Sequence, residues 1–226
     1  MKRILLFLLI TSAFGCGGDS NKLPVDSIIA GEVDMTTTGL TRLMKYYPKD
    51  TTIANDVKTV NYHTIPLASF TAQDGRNYTA AEEKGAVSVH SFFFSTCEGI
   101  CPIVTSQMTR VNTAFANNQA VKLVSYTVDP EVDNTETLQA YARRYKADPK
   151  KWTFLTGDKK ALYDQIRYGF YLPDVMPGKG DQEDFIHSEQ IVLVDRNLVI
   201  RGYYIGTDSL MVDSLIKDVK LLLEEK

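Results

Sequence analysis

The chain has 226 residues, 44% of them hydrophobic and 23% charged, enough for one sizeable globular domain with an appendage and too few for two large ones. Its formal net charge is −3, falling to −5 when residues 1–15 are set aside, because that stretch carries Lys2 and Arg3 and no acid. This balance argues against a nucleic-acid partner held by charge.

Met1-Lys2-Arg3, the apolar run Ile4 to Ile10 and the small residues that follow are arranged as a secretion signal over residues 1–15. The apolar core is shorter than the roughly 20 residues needed to span a bilayer. Ala13-Phe14-Gly15-Cys16 resembles a bacterial lipobox, in which the cysteine becomes the lipidated first residue of the mature chain, and the polar Gly17-Gly18-Asp19-Ser20-Asn21 after it has the composition of a tether. The alternative is ordinary signal cleavage, with Cys16 free or discarded. Lipidation places the protein in the bacterial cell envelope, membrane-attached and facing the periplasm, and leaves Cys97 and Cys101 as the only other cysteines in an oxidising compartment.

From Ser20 to about Tyr62 no periodicity is sustained, so residues 16–62 are expected to be tether and irregular extension, with the folded domain over 63–226. Ile65 to Phe70 followed by Gln73-Asp74-Gly75 predicts a short strand and a turn in which glycine supplies the positive φ. Ala86 to Phe94 has the length and the valine and phenylalanine content of a buried strand. Pro102 suits the first position of a following helix, whose apolar side is Ile103, Val104, Met108, Val111 and Phe115. Val121 to Val128 predicts a second buried strand. Thr135 to Lys146 predicts a helix capped at Asp133-Asn134. Trp152 to Leu155 is a short strand, Lys159 to about Tyr168 a helix, and Leu172 to Asp184 a polar loop. Ile191 to Val194 and Leu198 to Tyr204 form a hairpin, and Ser209 to Leu223 an amphipathic helix. Strands alternating with helices predict an α/β sheet covered on both faces.

The chemistry concentrates in Phe92-Phe93-Phe94-Ser95-Thr96-Cys97-Glu98-Gly99-Ile100-Cys101-Pro102, where a strand runs through two cysteines into a helix start. The positive end of a helix dipole lowers thiol pKa, so at least one sulfur is expected to carry thiolate character at neutral pH. Thiolates are nucleophiles and soft-metal ligands; the competing reading is a structural disulfide or two buried, inert cysteines. Cysteines four residues apart can face one side of a helical turn and reach one ion. His187, in a polar loop, is by itself more consistent with a surface histidine. His63 and His90 are expected to be structural, His90 because it lies inside an apolar strand.

The Cys97 to Pro102 segment, Asp129-Pro130-Glu131-Val132-Asp133, Phe154-Leu155-Thr156-Gly157 and Phe185-Ile186-His187-Ser188 occur in that order. Together they closely resemble the Sco/SenC family of thioredoxin-like copper proteins over about residues 63–224. The resemblance implies a thioredoxin-like fold with a central mixed sheet. It also implies one copper ion, as Cu(I) or Cu(II), held by Cys97, Cys101 and His187, and delivery of that copper to the binuclear centre of cytochrome c oxidase through a copper-accepting oxidase subunit. Two thiolates and an imidazole suit both oxidation states. Glu98 stands where family members often have proline, adding a negative charge beside the thiols, and Ile186 stands where an aspartate often precedes the histidine. The alternative function is a thiol-disulfide oxidoreductase, with Cys97 attacking and Cys101 resolving, so that the pair forms a disulfide. A peroxide-reducing or redox-sensing role is a third, weaker alternative. Asp129 can stand behind the site or simply make a turn before Pro130. Met108 fits the helix core, and Met176 is a soft donor more consistent with packing. Asp181, Glu183 and Asp184 form an acidic cluster that can steer a partner or simply be solvated.

Overall fold

The computed structural model describes residues 43, 45–54, 57–172 and 186–225. Two strands, β1 (Pro48–Ala54) and β2 (Val57–Tyr62), pair antiparallel as a separate hairpin within the stretch expected to be irregular. Residues 48–53 are all exposed, so β1 has no buried face to impose a period-two pattern, which is why the sequence does not signal it.

The main sheet has seven strands: β3 (Ser69–Ala72), β4 (Asn77–Thr79), β5 (Val87–Phe93), β6 (Val121–Thr127), β7 (Trp152–Thr156), β8 (Gln190–Val194) and β9 (Ile200–Ile205). Their spatial order is β4-β3-β7-β6-β5-β8-β9. The pairs β5/β6 and β6/β7 are parallel and the others antiparallel, which makes the sheet mixed. Parallel neighbours need crossovers, and two helices supply them: α1 (Ile100–Ala114) and α2 (Thr135–Arg144). α3 (Lys159–Asp164) runs into a π-helical turn at Gln165–Gly169, and α4 (Ser209–Glu224) closes the chain.

Strand pleating sends alternate side chains to opposite faces, and each face has its own core. Val89, Leu123, Phe154 and Leu193 pack with α1, α2 and α4; Phe92, Tyr126, Leu155 and Val192 pack with α3, its π-helical turn and Ile65. All seven residues of β5 are buried because it lies inside the sheet with packing on both faces.

Local details follow the chemistry of single residues. The β3/β4 turn closes on Gly75 at φ +83, as Asp-Gly predicts. The first strand begins at Ser69 rather than Ile65, because Pro66 has no N–H for a ladder; Thr64 instead forms an isolated bridge to Val199, and Ile65 donates to the Leu198 carbonyl at 2.9 Å. The second strand of the final hairpin starts at Ile200, since Leu198 turns at φ 65 while the Asp195 carboxylate accepts the N–H groups of Asn197 and Val199. Asn134 is the cap of α2, its side chain accepting from the Thr137 N–H at 3.0 Å. The helix expected from Lys159 to about Tyr168 changes register at Gln165, and its end is held by side chains. His63 Nε2, the Tyr203 hydroxyl and the Tyr47 hydroxyl bond the carbonyls of Gly169, Phe170 and Tyr171 in turn.

Candidate metal and thiol site

β5 carries the chain to the end of the sheet, where Cys97 donates its N–H to the Phe94 carbonyl at 3.2 Å and closes a turn. α1 then begins at Ile100 with Gly99 as its N-cap and no side-chain cap bond. Pro102 is therefore the third helical residue, not the first. The shift costs nothing, because none of the first four N–H groups of a helix has an intrahelical partner. Those orphan donors are what the site uses. Burial pushes the Cys97 thiol up, but the N–H groups of Cys101, Gly99 and Ile100, together with the Cys101 thiol, all donate to its sulfur and carry it below the ordinary thiol range. The Glu98 charge does not prevent this.

Cys101 is buried, and burial pushes its thiol up to about 12, although the Phe94 N–H donates to its sulfur; the negative charge of Cys97 adds to the rise. The two sulfurs are thus in contact and unequal: Cys97, half-buried, is the more readily ionised, and Cys101, sealed, donates to it. Both are free thiols in this structure.

His187 is exposed and makes a T-shaped contact with Phe94 at 6.1 Å between ring centroids. It lines a small cleft together with Cys101, Ile100, Val128, Ile186 and Ser188. Ile186 is buried, so an apolar anchor rather than a carboxylate fixes the backbone before the histidine. Among the described residues no three His, Cys, Asp or Glu side chains are grouped closely enough to hold one ion.

The other residues singled out in the sequence separate clearly. His90 is fully buried beside Glu83, with Nε2 3.0 Å from its carboxylate, and His63 serves the π-helical turn. Met108 is in the core. Asp129 makes the turn: its N–H donates to the Thr127 hydroxyl at 2.9 Å, and its carbonyl accepts from Val132 and Asp133. Burial and the charges of Asp133 and Glu131 raise its carboxyl. Cys16, Met176, Asp181, Glu183 and Asp184 lie outside the described residues. Asp133 is the residue that motif reading missed. It is fully buried and accepts hydrogen bonds from Ser95, two residues before Cys97, and from Thr127. Its place in the Asp129 to Asp133 motif suggested only a helix cap.

A thioredoxin-like sheet with two unlike thiols at the start of a helix, and an imidazole lining the same cleft as one of them, defines a class of protein that works through sulfur, by exchanging disulfides or by holding a soft metal. The SCO1/SenC family model matches residues 61–224, and the chain belongs to that family. A SCO1 protein homolog of Bacillus subtilis is 32% identical over 162 residues, 71% of this chain and 83% of that protein. Among solved structures, a SCO1/SenC family lipoprotein from Bacillus anthracis is 29% identical with a TM-score of 0.62, covering 72% of this chain and 96% of that one. BsSco, described as a member of the Sco family of cytochrome c oxidase assembly proteins with a disulfide switch, is 28% identical with a TM-score of 0.60, over 72% and 95%. ScoI of Bradyrhizobium japonicum, solved with copper bound, matches at 22% identity and a TM-score of 0.55 over 70% and 99%, a likeness of fold.

Proposed function

We propose that this chain is a copper metallochaperone: it holds one copper ion through Cys97, Cys101 and His187 and passes it to the copper-accepting subunit that carries the binuclear centre of cytochrome c oxidase. The observation that carries the reading is the contact between an amide-stabilised Cys97 sulfur and the Cys101 thiol, with His187 lining the same cleft as Cys101. Two soft sulfurs retain Cu(I), and the imidazole adds the donor that Cu(II) prefers. Loading deprotonates Cys101 and draws His187 toward the sulfurs. A lipid on Cys16 holds the domain at the membrane, facing the periplasm; among the described residues no helix is long and apolar enough to cross one.

A second reading rests on the inequality of the two thiols, which is what an attacking and a resolving cysteine require. Cys97 would attack a client disulfide, releasing one client thiol, and Cys101 would then displace the second, leaving a Cys97–Cys101 disulfide and a client dithiol. His187→Ala separates the readings. Measured by chelator competition, the variant should bind Cu(II) more weakly by several kcal/mol, far more than the fraction of a kcal/mol typical of a surface substitution, with an altered spectrum. Its Cys97/Cys101 reduction potential should stay near that of wild type. Equal binding of both copper states by variant and wild type would remove His187 from the ligand set and leave the oxidoreductase as the better account.

A further inference from the structure

We infer that Asp133 is a positioning residue for the thiol site, its sealed carboxylate fixing the turn that presents the Cys97 sulfur to the first amides of α1. This rests on the reading of Cys97 as ligand and nucleophile given above. A carboxylate with no exposure is costly unless donors satisfy it, and the donors here come from the site's own loop. The Ser95 N–H reaches Oδ2 at 3.1 Å, the Ser95 hydroxyl donates to Oδ1, and the Thr127 hydroxyl donates to Oδ2. Thr127 Oγ accepts in turn from the Asp129 N–H, so its own proton is free for Asp133.

The bonds tie together two neighbouring strand ends. Ser95 follows β5 and Thr127 ends β6, and beside them the Val128 N–H donates to the Phe93 carbonyl at 2.8 Å. Ser95 lies within the Phe94 to Cys97 turn, whose own closing bond, at 3.2 Å, is at the long end of the usual range. That turn is therefore set largely from outside, by Asp133. A helix-capping role does not explain the residue, because Asn134 already caps α2. The Cys97 sulfur must meet three amides and a thiol at once, and a misplacement of about 1 Å is enough to lose such contacts. Releasing the turn should thus destabilise the reduced, metal-binding arrangement relative to the disulfide.

The test uses the full-length protein and its Asp133→Ala, Asp133→Asn and Ser95→Ala variants. Each is followed by thermal melting, by Cu(I) affinity in chelator competition, and by equilibrium with glutathione, in which one oxidised glutathione gives two reduced as the Cys97/Cys101 dithiol becomes a disulfide. Asp133→Ala should lose at least tenfold in Cu(I) affinity and shift the glutathione equilibrium about tenfold toward the disulfide, roughly 30 mV to more negative potential. Asp133→Asn keeps one acceptor oxygen and should fall between Asp133→Ala and wild type. Ser95→Ala loses only the hydroxyl bond and should move both readouts several-fold in the same direction. A lowered melting temperature with unchanged affinity and potential would overturn the inference, since a merely structural residue behaves that way. If Asp133→Ala does not fold, Ser95→Ala decides by the same two readouts. If wild type takes up no copper, the proposed function falls and the potential still decides the role of Asp133.

Discussion

Two regions of this domain place ionisable groups in its interior, and they do so to opposite ends. On one face of the sheet, Glu83 and His90 are both fully buried, the Tyr78 hydroxyl donates to Glu83 at 3.1 Å, the Ser88 hydroxyl lies 2.9 Å from His90 Nε2, and Phe170 packs on the imidazole at 4.8 Å. At the end of β5, Cys97 is only half-buried and His187 is exposed, and of these two and Cys101 only Cys101 is sealed. Glu83 and His90 can exchange partners with nothing, so their contribution is to the free energy of folding. Cys101 and His187 line a cleft, and Cys97 and His187 reach solvent, so these groups are placed to change partners. Accessibility, rather than residue type, separates His90 from His187.

Substitutions should separate the regions cleanly. Glu83 is fully buried beside His90 and accepts from the Tyr78 hydroxyl, so Glu83→Ala, which leaves that buried hydroxyl without its acceptor, should cost about 1–3 kcal/mol in denaturant unfolding while copper affinity per folded molecule stays unchanged. Cys97→Ser should do the reverse. It should abolish stable Cu(I) uptake and move folding stability by only about 0.5 kcal/mol, the scale of a substitution at an accessible position. A loss of copper affinity in Glu83→Ala, or a large loss of stability in Cys97→Ser, would mean that the regions are coupled across the sheet. A smaller contrast lies inside the thiol pair. With limiting iodoacetamide at neutral pH, mass spectrometry should find Cys97 modified well before Cys101, because only the thiolate attacks. Equal labelling would contradict the inequality of the two thiols.

Much of this arrangement was legible in the sequence, for reasons that differ by element. The valines and phenylalanines of β5 and the helical spacing of Val104, Met108 and Val111 are local patterns imposed by burial, and the thiol site inherits its place from the junction between them. The family likeness drew His187 toward the cysteines; on its own pattern, in a polar loop, the residue looked like any surface histidine. Three things were not legible. β1 is exposed along residues 48–53 and leaves no alternation. The π-helical turn after α3 depends on Tyr47, His63 and Tyr203, all distant in sequence. Asp133 sits one residue before a helix cap, so its local context offered an adequate explanation, and only the fold shows its carboxylate turned to Ser95, 38 residues away.

The smallest effect is also the most specific to the thiol pair, because its two members shift in opposite directions. The folded Cys97 value lies below the ordinary one, so as pH rises between the two the unfolded chain holds more protons than the native one. Stability therefore increases with pH in that window and is lost as pH falls through it. Cys101 stays protonated in the fold up to about 12, whereas in the unfolded chain it ionises near the free value of about 8.5, so above that pH stability declines. Denaturant titrations of the reduced protein should accordingly show a maximum near about pH 8.5. The raised tyrosines Tyr78, Tyr126, Tyr203 and Tyr204 add to the decline only from about pH 10, where free tyrosines begin to ionise. Cys97→Ser should lose the rising limb, and Cys101→Ser should lose the part of the decline below about pH 10. An identical profile in wild type and both variants would show that the two sulfurs do not divide one proton as the geometry requires.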